Sequence, residues 1–294
     1  MKAYVDCIPC FFRQALEAAK IAGANEAQQK QVLDELAKHL PEINMHLPPP
    51  QTAKMFYNLI KEISKNPDPY LEQKKRSNEL ALAAYPMLQK RLAKTENKLK
   101  LAVELAIAGN LLDFGVKNSL NVDAELEKIL TEENEAIQNE QPGLFDFEAF
   151  KQTLKQAKTI LYLGDNAGEI VFDRILIEQI LNLYPDKNII FAVKEKPIIN
   201  DALKADAIFC GLDKLTSIIS SGSDVPGTVL TLCFPEFRDI FYQADLVISK
   251  GQGNFETLSE TQRTIFFLFK AKCPVVAKHM NCKLGDVILF HKEL

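Results

Sequence analysis

The sequence predicts an α/β protein: a three-layer α/β/α domain with a mostly parallel sheet, preceded by an all-helical N-terminal region. Three observations predict it. From Tyr4 to Ala108 apolar residues recur at helical spacing with no convincing strand. From about Lys158 short β-rich runs alternate with helical segments. Between these regimes, Thr159 to Ile170 reads as a buried strand, a sharp turn at Gly164-Asp165-Asn166-Ala167-Gly168-Glu169 and a helix start. The expected units are residues 1–150, helical and packed on the core, and 151–294, a Rossmann-like α/β domain.

Taken in order, Cys7, Phe11, Ala15 and Ala19, then Val32, Leu33 and Leu36, mark two helices broken at Gly23-Ala24-Asn25. The Pro48-Pro49-Pro50 cluster precedes a helix over about Gln51 to Ser64, which Asn66-Pro67-Asp68-Pro69 stops. Glu72 to Ala84 and Leu88 to Ala108 continue in helical period, the second rich in strong helix formers. The expected strands are Ile160 to Leu163, Asn188 to Val193, Ala207 to Phe209, Ala244 to Ser249 and Pro274 to Ala277, with Gly285 to Phe290 pairing at a sheet edge. The expected helices between them include Glu169 to Leu183, Leu215 to Ile219, Pro235 to Gln243 and Phe255 to Ser259. Strands alternating with helices imply right-handed parallel crossovers.

At 294 residues and 47% hydrophobic content the chain can bury a large core. A net charge of −4 disfavours a nucleic-acid partner. No apolar run approaches the roughly 20 residues of a membrane span, and the N-terminus lacks a signal-peptide layout, so a soluble, cytoplasmic protein with no membrane partner is expected. Six scattered cysteines suit reduced thiols better than a disulfide framework.

Asp165 and Asn166 follow the first buried strand, where ligands bind in open α/β sheets. A carboxylate, an amide and a helix N-terminus together suit a divalent cation carrying a phosphate, although the same residues also make a plain helix cap. Pro197-Ile198-Ile199-Asn200-Asp201-Ala202 follows the second strand. If the two strands are parallel neighbours, Asp201 reaches the same edge as Asp165, and three oxygen donors suit Mg²⁺ or Mn²⁺. An Asx turn accounts for Asp201 equally simply. Ser249-Lys250-Gly251-Gln252-Gly253-Asn254-Phe255-Glu256 puts a lysine and two glycines at a third strand-to-helix turn, where amides and an ammonium can meet an anion. It is not a Walker loop.

The loop Ser221 to Thr228 offers further hydroxyls and amides. Asn110 and Asp113 lie three apart at a helix end and can share a face toward a substrate or simply end the helix. Cys7 and Cys10 form a single CxxC with no second pair at matching spacing; buried thiols, a zinc site completed by a distant cysteine, and a redox pair all fit.

Seven segments in order resemble one family: Cys7-Ile8-Pro9-Cys10, Asp68-Pro69-Tyr70, Ala108 to Gly115, Gly164 to Glu169, Pro197 to Ala202, Gly222 to Gly227 and Lys250 to Glu256. Together they resemble the DUF89 family, also called the damage-control phosphatase ARMT1-like family, in its prokaryotic CxxC-containing branch. The resemblance implies a metal-dependent phosphatase acting on small phosphorylated metabolites, such as sugar phosphates, with Mg²⁺, Mn²⁺, Co²⁺ or Ni²⁺. It places Asp165, Asn166 and Asp201 at the metal, Lys250 on phosphate, and Asn110 and Asp113 on the segment that lines the substrate pocket; Gly168, Glu169, Gly251, Gly253 and Asn254, in the strand-to-helix turns, are expected to meet the substrate as well. Asp165, Asn166, Asp201 and Lys250 are thereby the expected catalytic set. Gln252 and Gly253 depart from the Lys-Gly-Asp-Leu-Asn of eukaryotic members. The alternatives are an S-adenosylmethionine-dependent carboxyl methyltransferase, a label once given to eukaryotic relatives, and a non-catalytic metal- or metabolite-binding protein.

Overall fold

The computed structural model describes residues 1–109 and 144–291, which form eleven α-helices and six strands. The N-terminal helices are α1 (Cys7–Ile21), α2 (Glu26–His39), α3 (Pro49–Ser64), α4 (Leu71–Ala93) and α5 (Lys98–Ala108). Asn25 starts α2 through a reciprocal box: its side chain accepts from Gln28 N–H, and Gln28 accepts from Asn25 N–H, both at 3.0 Å. Prolines 49 and 50 begin α3, where their missing N–H groups cost no helical bond. The expected break near Tyr85-Pro86 is absent, and α4 runs through Pro86. An interior proline costs roughly 3 kcal/mol, but Ala81, Ala84, Leu88 and Leu92 keep one buried stripe across it. The break falls at 94–97 instead, where Asn97 caps α5 through Lys100 N–H.

The second half contributes α6 (Phe147–Gln156), β1 (Thr159–Leu163), α7 (Glu169–Leu183), β2 (Asn188–Val193), α8 (Lys204–Phe209), β3 (Ser217–Ser220), α9 (Pro235–Gln243), β4 (Leu246–Lys250), α10 (Gln252–Leu258), β5 (Ile265–Lys270), α11 (Pro274–Met280) and β6 (Val287–His291). The sheet order is β3-β2-β1-β4-β5-β6, parallel except for β6, which pairs antiparallel with β5 at one edge. β1 pairs β2 on one side and β4 on the other, so chain direction through the sheet reverses between β1 and β4. In open sheets that switch point is where a crevice forms beyond the strand ends.

Three expected elements differ, and one strand was not expected. Ala207 to Phe209 lies in α8, not a strand, because Asp206 accepts from Leu203 N–H at 2.9 Å and starts a helix there. Leu215 to Ile219, expected as helix, leads into β3, which gains a parallel partner in β2. Pro274 to Ala277 is helical: Pro274 occupies the first turn of α11, and Val276 and Ala277 pack inward despite their strand-like composition. β5 stands where no strand is expected; Ile265-Phe266-Phe267-Leu268-Phe269 is buried throughout between β4 and β6.

Alternation along the strands sends side chains to two cores. Ile160, Tyr162, Phe191, Ile248 and Phe266 face α4 to α7, whereas Leu161, Leu163, Val247 and Phe267 face α9 to α11. A third cluster joins α1, α2 and α3, with Phe11, Val32, Leu36 and Phe56 at its centre, and it includes Ile198 from the loop after β2. Lys61 of α3 donates to Pro197 O at 2.5 Å, and Lys54 pairs with Asp224 at 2.6 Å. The α1–α3 bundle thus holds two loops at the C-terminal edge of the sheet. No helix among the described residues is long and apolar enough to cross a membrane.

Candidate active site at the sheet switch point

The turns after β1 and β2 are joined by backbone. Ala202 N–H donates to Asp165 O at 2.8 Å, Ala167 N–H donates to Asn200 O at 2.9 Å, and Asn166 and Asp201 form an isolated antiparallel bridge. These bonds bring Asp165, Asn166 and Asp201 onto the wall of one cavity of about 300 Å³. Asn166 Nδ2 donates to Asp165 Oδ2 at 3.0 Å and to Glu169 Oε1 at 2.7 Å. With its amide nitrogen so engaged, the other end of the Asn166 amide, an acceptor, is turned away from both carboxylates. Ile199, between Ile198 and Asn200, holds a positive φ of 42°, rare for a β-branched residue, and lines the same cavity.

Gly253 also lines the cavity, whereas Gly168, Glu169, Lys250, Gly251 and Asn254 stand behind its wall. Asn110 and Asp113 lie outside the described residues. Gly168 opens α7 with a φ of 83°, and its N–H donates to Asn78 Oδ1 of α4 at 2.7 Å; Asn78 Nδ2 in turn donates to Asp206 at 2.8 Å. Gly251 has φ 83° and ψ 153°, and a Cβ there would lie 2.0 Å from Asp165 Oδ2. Only a glycine lets the β4–α10 turn approach that carboxylate. Asn254 is fixed by donating to Lys250 O at 2.7 Å and accepting from Thr228 Oγ1 at 2.7 Å. That second bond ties the 221–228 loop to α10, and Pro226 and Gly227 reach the cavity.

Lys250 is fully buried, and its ammonium donates to Asp173 Oδ1 at 2.7 Å with Glu169 Oε2 at 3.9 Å. Tyr162 OH donates to the same Asp173 oxygen at 2.8 Å. Burial alone would lower the Lys250 pKa, but Asp173, Glu169 and Asp165 together outweigh it and the net shift is upward. Burial raises Asp173 to about 6 against the pull of Lys250.

Across the site, Lys194 donates to Gly227 O and stands 3.6 Å from Asp201 Oδ2. Asp201 rises to about 6, chiefly through burial, with Lys194 opposing the rise. Asp165 is raised well above the usual carboxylate range by burial, then by the neighbouring charges of Glu169 and Asp201. The buried oxygens Glu169 Oε2, Asp173 Oδ2 and Asp201 Oδ2 have no hydrogen-bond partner.

Three contributors were missed by sequence reasoning. Asp173 interrupts an apolar helix face, which is a readable signal; Lys194 directly follows β2; and Glu256, one turn after Gln252, lines the cavity. Burial raises Glu256 to about 7 although Gln252 donates to it at 2.7 Å.

A crowd of carboxylates at the switch point of a parallel sheet, flanked by two buried lysines, is the layout of a cation and anion site. The sequence pattern of the damage-control phosphatase ARMT1-like domain matches residues 3–288. The chain belongs to that family. A damage-control phosphatase of Pyrococcus horikoshii is 36% identical over 296 residues, covering 100% of this chain and 99% of its own. A damage-control phosphatase of Archaeoglobus fulgidus is 32% identical over 298 residues, covering 98% of each. The crystal structure of a DUF89 family protein from Pyrococcus horikoshii superposes with a TM-score of 0.89 at 34% identity, covering 100% of both chains. Membership in the ARMT1-like family therefore extends over the whole fold, helical bundle included.

Proposed function

We propose that the chain is a metal-dependent phosphatase that hydrolyses a small phosphorylated metabolite at the β1/β4 crevice. The observation that carries this reading is the convergence of Asp165, Asn166 and Asp201, from two neighbouring strand ends, on one cavity wall. Among the described residues no group of three or more His, Cys, Asp or Glu side chains is gathered tightly enough to hold an ion by itself. The set proposed here counts two carboxylates and one amide, with the remaining positions left to water and substrate oxygens, as suits a hard cation such as Mg²⁺ or Mn²⁺, or Co²⁺ or Ni²⁺. Its fit is supported by the raised Asp165, by an Asp201 Oδ2 that accepts no hydrogen bond and by the close approach of the β4–α10 turn to the Asp165 carboxylate that glycine at 251 permits. A divalent cation held there supplies neutralisation of phosphoryl oxygens and of the charge that develops as the ester bond breaks.

The protein's own groups divide the remaining work. Asn166 fixes Asp165 and Glu169 in one arrangement. Lys250, positive and anchored on Asp173, sets the potential beneath the site and favours a bound phosphate. The Gly168, Ile170 and Gly251 N–H groups are already bonded to Asn78 Oδ1, Asn166 O and Leu268 O, which leaves the N–H groups of Gln252 and Gly253, at the cavity wall, to meet an anion. Phe11, Pro50, Ala53 and Val276 form an apolar wall for the non-phosphate part of the substrate. In this reading residues 1–150 are the helical region that closes the cavity, and 151–294 the metal- and phosphate-binding domain.

A phosphate-release assay across a panel of phosphomonoesters with Mg²⁺, Mn²⁺, Co²⁺ and Ni²⁺ tests the proposal. Turnover in the wild type that vanishes in Asp165→Ala and Asp201→Ala is expected. Undiminished metal-dependent turnover in either folded variant would overturn the assignment.

A further inference from the structure

Three of the six cysteines, Cys7, Cys10 and Cys273, line the cavity that carries Asp165 and Asp201, and the proposed hydrolysis uses none of them. Cys7 and Cys10 are the first and fourth residues of α1. Helix geometry sets Cα atoms at that spacing about 5 Å apart, inside the roughly 4.4–6.8 Å that a disulfide spans. The pair can therefore close by side-chain rotation with little backbone movement. Each sulfur has its own donor: Tyr4 N–H reaches Cys7 Sγ at 3.4 Å, and the Gln14 side-chain amide reaches Cys10 Sγ at 3.2 Å. Cys7 is buried and Cys10 half-buried, so Cys10 is the thiol that a small molecule entering the cavity meets first.

We propose that Cys7 and Cys10 are a reversible dithiol–disulfide modification site on the wall of the substrate cavity. With hydrogen peroxide as oxidant, the Cys10 sulfur attacks one peroxide oxygen and the O–O bond breaks. The departing hydroxide takes the thiol proton and leaves as water, and Cys10 is a sulfenic acid. The Cys7 sulfur then attacks the Cys10 sulfur, the S–S bond forms, the S–O bond breaks, and the Cys7 proton departs with the second water. The two thiols together lose two electrons and two protons, and the peroxide is reduced to two waters. A small dithiol reverses the step by exchange.

Closing the bond draws both sulfurs from their donors. It releases the Gln14 side chain, which lines the cavity, and loosens Tyr4 to Asp6, of which Asp6 also lines it. The functional consequence rests on the phosphatase reading: losing one wall contact of this kind raises KM about fivefold with kcat little changed.

The test uses the full chain treated with stoichiometric hydrogen peroxide, followed by intact mass and the tryptic peptide 3–13, which contains both cysteines. The expected product has lost two hydrogens within that peptide and regains them with dithiothreitol. Cys7→Ser and Cys10→Ser should not form it, and Cys273→Ser should. Thermal melts verify that each variant is folded. No loss of hydrogens, a disulfide to Cys273, or direct passage to sulfinic acid would overturn the proposal. In the activity arm, the peroxide-induced rise in KM should appear in the wild type, reverse with dithiothreitol and be missing in Cys10→Ser; a disulfide that leaves KM unmoved would overturn the regulatory consequence. If no phosphate ester is turned over, the mass measurements still judge the disulfide, so failure of the phosphatase reading is distinguishable from failure of this one.

Discussion

Replacing Gly251 by alanine isolates the contact on which the Asp165 geometry depends. The new Cβ would lie 2.0 Å from Asp165 Oδ2, 2.3 Å from its Cγ and 2.8 Å from Oδ1. Restoring ordinary contact requires the carboxylate to retreat by about 1.4 Å, and a displacement near 1 Å at a reacting centre costs about a hundredfold in rate. The backbone adds its own penalty. At φ 83° and ψ 153° Gly251 occupies a region that is essentially glycine-only, worth about 1–3 kcal/mol and a few degrees of Tm in a chain of this size. Gly23→Ala separates the two effects, because Gly23 also has a positive φ, 79°, but no atom within 4 Å of the added Cβ. The assays are thermal denaturation and metal-dependent phosphate release for both variants. Both should lose stability, and only Gly251→Ala should lose turnover, by about a hundredfold. A folded Gly251→Ala with wild-type turnover would refute the coupling between the β4–α10 turn and Asp165.

Three further outcomes are expected. Lys250→Met strands Asp173, so stability should fall by about 3–5 kcal/mol at pH 8 and by less at pH 5, where Asp173, already at about 6 when paired, takes up a proton; equal losses at both pH values in chemical denaturation would contradict the pairing. Glu256 holds a proton in the folded chain up to about 7 against an ordinary value of 4.5. The unfolded chain therefore binds fewer protons between these values, and stability should decline as pH rises through that window, by about 3 kcal/mol in the limit of full burial. Asp173 and Asp201, each raised to about 6, add to the decline below that pH. Glu256→Gln should flatten the part between pH 6 and 7, and an unchanged profile in urea melts would count against a buried, protonated Glu256. Finally, Asn78→Ala leaves Gly168 N–H and Asp206 Oδ1 without their shared partner. It should cost about 1–3 kcal/mol and speed amide exchange at Gly168; protection equal to wild type would show that the bond contributes nothing.

How much of this was legible depended on the range of the signal. β1 and β2 are compact apolar runs and α7 a fifteen-residue apolar helix, each bounded by turn residues, and they lie where the pattern predicts. α8 and β3 are too short for periodicity to choose between helix and strand, so Asp206 and the neighbouring β2 decided them. The β-branched Val275 and Val276 concealed the helix that Pro274 begins. Asp165, Asn166 and Asp201 could be found because turn-forming acids and amides after buried strands are a local feature. The adjacency of β1 and β2 that brings them together was only a condition in the sequence; here it is a register of paired residues. Asp173 was marked by the apolar helix face it interrupts, but Lys194 and Glu256 had no comparable local mark, since a lysine just after a strand or an acid near a turn becomes informative only when its partner from a distant element is known.

The loop that presents Asp201 is gripped from outside the sheet. Ile198 is buried in the α1–α3 cluster, Lys61 of α3 holds Pro197 O, and Ile199 is kept in a left-handed conformation. A relaxed loop would abandon that conformation, so the bundle acts as a clamp whose tightness sets the separation of the two acids. On the proposed metal-dependent reading, packing changes at Phe56 or Ile60, remote from any phosphate, should therefore register in metal affinity before they register in unfolding. Directed evolution for a different metal ion would then find adaptive substitutions in the α1–α3 core as readily as around the cavity itself.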